Sequence, residues 1–171
     1  MFKIFSSSKK TTSKETTSKE TTAKADLCRE IAGELFGQIE RARDEAKAGG
    51  VVDEGIFNER LNSMFVAGYL IGYVDYYLSD VEQDNDAKNE HARSIFETMF
   101  PGAGMDFVKA RLTVRQKAAN IVRDAPDYNE VAAQCQAFDG GVTTAGEELD
   151  AARQDTDFYP LRLKEYLLLG Q

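Results

Sequence analysis

Residues 64–78 read MFVAGYLIGYVDYYL, with Asp75 as the single charge among them. Fifteen residues rise about 22 Å as a helix, short of the roughly 30 Å hydrocarbon core of a bilayer. The stretch is therefore expected to be the central buried helix of a soluble bundle. Gly68 and Gly72 lie four residues apart on one face, beside Met64, Ile71 and Asp75. Each glycine costs a helix about 1 kcal/mol relative to alanine, and close backbone approach is the expected compensation. The approaching helix could belong to the same chain or to a second subunit.

Tyr69, Tyr73, Tyr76 and Tyr77 form a second stripe, extended by Val66. A tyrosine ring is apolar while its hydroxyl seeks a partner, so the stripe fits a core edge, a subunit interface or a ligand pocket. Asp75 is the unusual residue of the run. At the rim it would be an ordinary carboxylate; buried, it would need hydrogen bonds, a cation or a raised pKa.

Working outward, Leu27, Ile31, Leu35, Ile39, Ala42 and Ala46 recur at steps of three and four, with Phe36 widening the stripe. They predict a first helix from Leu27 to about Ala48, capped by Asp26 and stopped at Gly49-Gly50. Asp53 should cap a second helix that continues unbroken through residue 78. Residues 80–91, DVEQDNDAKNEH, alternate acids like a calcium loop, but Asn85 replaces the turn glycine and His91 the bidentate glutamate. A hydrated acidic turn is expected there, followed by a helix over residues 86–100 that Pro101-Gly102 ends.

Residues 106–125 predict a further helix, with a break near Leu112 because Thr113 and Gln116 form a capping-box pattern. Asp127 and Glu130 suggest another box opening a short helix that Gly140-Gly141 would stop, and Thr144 with Glu147 would start the next. Tyr159-Pro160 introduces a terminal helix in which Leu163, Tyr166 and Leu167 face inward. Leucines so dense should dock on the bundle or cross into a partner subunit. The fold class is all-α: an irregular bundle of five to seven helices with a disordered N-terminal tail. The organisation is a low-complexity tail at residues 1–25 and a single helical domain at 26–171.

The tail carries an approximate TTSKE repeat after the segment MFKIFSSSKK. Phe2, Ile4 and Phe5, followed by Lys9 and Lys10, permit weak peripheral membrane contact or docking onto protein, but are too few to span a membrane. Phe2 directly after Met1 leaves no glycine for myristoylation. The net charge of -8 divides unevenly: six lysines against Glu15 and Glu20 give residues 1–25 a charge of +4, leaving -12 for the remainder. Direct nucleic-acid binding is not expected of so acidic a domain. Cys28 and Cys135 are read as buried thiols of a reducing compartment, which places the chain in the cytoplasm.

No catalytic, cofactor or metal residues are assigned. The sequence holds no dinucleotide or phosphate loop, no zinc-protease motif and no Glu-x-x-His pattern, and His91 is its sole histidine. A non-enzymatic interaction or regulatory module is expected, a homo-oligomer or a binder of another protein. Its candidate interfaces are the helix of Gly68, Gly72, Tyr69, Tyr73, Tyr76 and Tyr77, and the segment of Leu163, Tyr166 and Leu167. The alternatives are a small-molecule enzyme or sensor with a pocket around Asp75 and the tyrosines, and an acidic mimic of nucleic acid that binds a basic protein.

Overall fold

A computed structural model describes the backbone of residues 12–50, 52–121, 123–155 and 160–170, with side chains from Thr22 onward save those of residues 107 and 119. Among these residues there are seven helices and no strand. They are α1 (Thr12–Gly49), α2 (Glu54–Leu61), α3 (Met64–Val81), α4 (Asn85–Met99), α5 (Gly104–Asn120), α6 (Tyr128–Gln154) and α7 (Arg162–Leu169).

Helix α1 begins well before the expected Leu27, and Asp26 lies inside it, paired with Arg29 at 3.0 Å rather than capping. Within the extension, Lys24 Nζ donates to Glu82 Oε2 at 2.8 Å, beyond the end of α3. At its other end Gly50 turns the chain with φ at 57°, a left-handed conformation that glycine adopts without a Cβ clash. The long helix expected from Asp53 to Leu78 is instead two. Asp53 caps α2 through Gly55 N at 2.7 Å, and Ser63 opens α3 by accepting from Val66 N at 3.3 Å. Asp84 starts α4, accepting from Ala87 N at 2.9 Å.

Two expected interruptions are absent. α5 runs through Thr113, whose hydroxyl donates to the Lys109 carbonyl at 2.8 Å within the helix. α6 runs through Gly140-Gly141, and the Thr144 hydroxyl donates to the Gly140 carbonyl at 2.9 Å. Asp127 makes no side-chain cap; it pairs instead with Lys117 at 2.7 Å.

The physical reason for the glycines lies in α3 and α6, which form the most extensive helix pair. A Cβ on Gly68 would stand 2.0 Å from the Phe138 carbonyl oxygen, and one on Gly72 would stand 2.9 Å from Val142 Cα. The relation is reciprocal, since a Cβ on Gly141 would meet the Phe65 carbonyl oxygen at 2.0 Å. The two backbones therefore touch, and the close approach expected of Gly68 and Gly72 is made within the chain. Around this pair the core gathers Leu35 and Ile39 of α1, Phe57 of α2, Leu70 and Leu78 of α3, and Ile95 of α4. Burying one such side chain contributes about 1.5–3 kcal/mol.

α7 closes the bundle against α1 and α2, with Leu163 and Leu167 fully buried and Tyr166 stacked on Phe65 at 4.3 Å between ring centroids. Gly170 ends it at φ 75°. Phe36 departs from the expected stripe and is 45% exposed.

Candidate functional site

Helix α3 has two unlike sides. Tyr69 and Tyr73 are fully buried, and Tyr76 and Tyr77 are half-buried, continuing a ladder of ring contacts from Tyr69 through Tyr73 to Tyr77 with centroids 6.2 and 5.3 Å apart. Ile71, Val74, Asp75 and Leu78 look toward α4 and α5 instead, where they line an open groove of about 630 Å³. Ala92 and Phe96 of α4 form one wall, and Met105, Val108 and Leu112 of α5 the other. Leu112 is 38% exposed because nothing covers it from the groove side.

The polar groups collect along the rim of α4: Asn85, Lys88, Asn89 and Arg93. Lys88 reaches across to α3, donating to Ser79 Oγ at 2.7 Å and pairing with Asp75 Oδ1 at 2.6 Å. The Asp75 side chain is 62% exposed, so it occupies the rim, and the groove does not bring it together with the tyrosines. The pocket expected around Asp75 and the tyrosines is thus divided between opposite sides of α3. From Asn85 to Phe96 the groove follows α4 for roughly 16 Å, about three helical turns.

A second concavity of about 600 Å³ lies between α1 and the start of α7, lined by Arg41, Asp44, Glu45, Pro160, Leu161 and Lys164 over the buried Gln38. Lys164 and Glu45 pair across it at 2.6 Å. Both amide atoms of Gln38 are sealed from solvent without a hydrogen-bond partner.

Sequence reasoning missed Glu148. It is 6% exposed, and its two oxygens hold three donors: Tyr69 OH at 2.7 Å, and the backbone amides of Leu161 and Arg162 at 2.8 and 3.0 Å. A carboxylate so placed serves as the N-terminal cap of α7 from a distant helix. No local signal marks it, because its partners lie 79, 13 and 14 residues away in sequence. The Tyr73 hydroxyl is buried without a partner in hydrogen-bond geometry, and burial together with the neighbouring Glu34 carboxylate holds this phenol far above its ordinary pKa.

The candidate interface residues Gly68, Gly72, Tyr69, Tyr73, Leu163 and Leu167 are buried by the chain's own helices. Tyr76, Tyr77 and Tyr166 are half-buried, and the Tyr76 hydroxyl donates to Asp150 at 2.6 Å. An oligomer built on the first six would have to open the bundle. Phe2, Ile4, Phe5 and Lys9, proposed for membrane contact, lie outside the described residues. Among the described residues no helix is long and apolar enough to cross a membrane, and no cluster of three metal-ligating side chains is formed.

Comparison with family models, with curated proteins and with solved structures found no match.

Proposed function

We propose that this chain is a non-enzymatic interaction module that receives an amphipathic helix of a partner protein in the groove between α3, α4 and α5. The observation behind this reading is the groove itself: an apolar floor about three turns long, with its polar groups confined to one rim. Helix-in-groove recognition uses that division, the floor taking apolar anchors one turn apart and the rim fixing orientation. Asp75 and Lys88 already neutralise each other across the rim, which leaves Arg93 as a cation for a partner carboxylate. The surface acids favour this over mimicry of nucleic acid. Many are matched with cations, such as Asp80 with Arg153 and Asp139 with Arg115, so they do not present an unbroken anionic row.

Selection from a displayed library of helical peptides tests the proposal. Binders should carry apolar residues at spacings of three and four, and should lose affinity for an Ala92→Glu/Leu112→Glu chain that retains its helical circular dichroism. Peptides that bind this variant equally well, or a selection that enriches none, would refute it. The volume also lies in the range of small-molecule sites. Ligands that saturate the groove yet leave peptide binding unchanged would favour that second reading.

A further inference from the structure

We infer that the groove's resident occupant is the chain's own segment Met1–Lys10, docked through Phe2, Ile4 and Phe5. The inference rests on the reading of the groove as a binding surface and adds how that surface is regulated: a partner helix must displace the segment.

Three observations support it. First, the segment offers three large apolar side chains within four residues, matched to the apolar surface that Ile71, Ala92, Met105 and Leu112 leave uncovered in the groove. Second, the chain is brought to the correct end of the groove. Lys24 is fastened to Glu82, and the other carboxylate oxygen of Glu82 accepts from the Asp84 amide at 3.2 Å, one residue before the groove begins at Asn85. From Lys24 back to the start of α1 at Thr12 the helix rises about 18 Å. Residues 2–11, if extended, span up to about 33 Å. That length suffices to double back past Asn85 and enter the groove.

Third, the charges agree along this route. Lys9 and Lys10, between the apolar cluster and α1, would be drawn back toward the acidic turn that carries Asp84 and Asp86. Opposite charges favour the return path over an outward one, and the preference weakens as salt screens it.

The test uses the full chain with p-benzoylphenylalanine in place of Phe5, irradiated as a mixture of light and heavy isotope-labelled protein. Crosslinks within one chain to residues 71–78, 85–96 or 105–112 are expected, and should be lost when Leu112→Glu is added. Crosslinks joining light to heavy chains would overturn the inference in favour of a second copy as occupant. Crosslinks elsewhere, or only to anionic vesicles when these are present, would overturn it in favour of another surface or a membrane.

Peptide binding supplies an independent arm. If the segment fills the groove in nine chains of ten, Phe2→Ser/Ile4→Ser/Phe5→Ser should bind a groove-selected helical peptide roughly tenfold more tightly than the parent. Equal affinities would refute resident occupancy while leaving the partner-helix function standing. Should no helical peptide bind either protein, the function fails and the crosslinks alone decide the segment.

Discussion

Neighbouring glycines at 140 and 141 face opposite environments, and single substitutions should separate them by sign. A Cβ on Gly140 would have nothing within 4 Å, so Gly140→Ala should raise the urea midpoint, gaining up to about 1 kcal/mol of helix propensity. Gly141→Ala should lower the midpoint, costing about 1–3 kcal/mol, because the α3 backbone stands where the methyl would go. Gly68→Leu should also unfold more easily, with no change in sedimentation mass, since its close contact lies within the chain. A comparable pair exists among the tyrosines. Tyr69→Phe strands one oxygen of the buried Glu148 and should cost about 1–3 kcal/mol, whereas Tyr73→Phe should be neutral or stabilising because it removes a buried hydroxyl that lacks hydrogen-bond geometry. Burial pushes the Cys28 thiol up, and burial with Asp139 pushes up that of Cys135. The buried Cys28 should therefore resist alkylation near neutral pH until the chain unfolds, while the half-buried Cys135 reacts slowly in the folded state.

Between residues and fold, α7 depends on a carboxylate it does not own. Glu148→Ala would leave the Tyr69 hydroxyl and the Leu161 and Arg162 amides without their acceptor. It should cost about 2–4 kcal/mol and raise amide exchange in α7 before the rest of the bundle. The attachment of α1 at Lys24 has a pH signature. The Lys24 hydrogen bond, followed by the Asp84 amide, holds the Glu82 carboxyl below its ordinary value. A depressed folded pKa contributes stability that is fully present above the ordinary carboxylate value and is lost as pH falls through the lower one. Exchange at residues 22–28 should accelerate over that acidic interval, and Glu82→Gln should flatten the dependence. Elements were legible from sequence where the signal is local: Asp53 caps its helix and Gly50 turns left-handed, whereas Asp84, read only as part of an acidic turn, proved to be the cap of α4. Ser63 was overlooked because apolar residues on both sides made residues 53–78 look continuous. Gly140-Gly141 was misread because a glycine that stops a helix and one that admits another backbone are identical in a single sequence. Only the presence of Phe65 and Tyr69 across the interface distinguishes them.

At the scale of the molecule, periodic apolar stripes and the charge-poor run at 64–78 were enough to read an all-α bundle. The groove was only partly readable. Asp75 drew attention, but its companions proved to be Lys88 and residues of α4 and α5, brought there by a turn whose geometry no periodicity encodes. Which face of α3 meets α6 was decided by glycines, leaving Ile71 and Val74 for the groove by exclusion. The docking of α7 also constrains how the chain can be made. Leu163 and Leu167 fill a cleft whose walls, on α1 and α2, are synthesised more than a hundred residues earlier, as the bond from Arg60 to the Leu167 carbonyl across 107 residues shows. During translation those walls must wait, apolar and uncovered, until α7 emerges from the ribosome. Nascent chains halted after Arg153 should accordingly bind a hydrophobic dye and a general chaperone, and completed chains should release both.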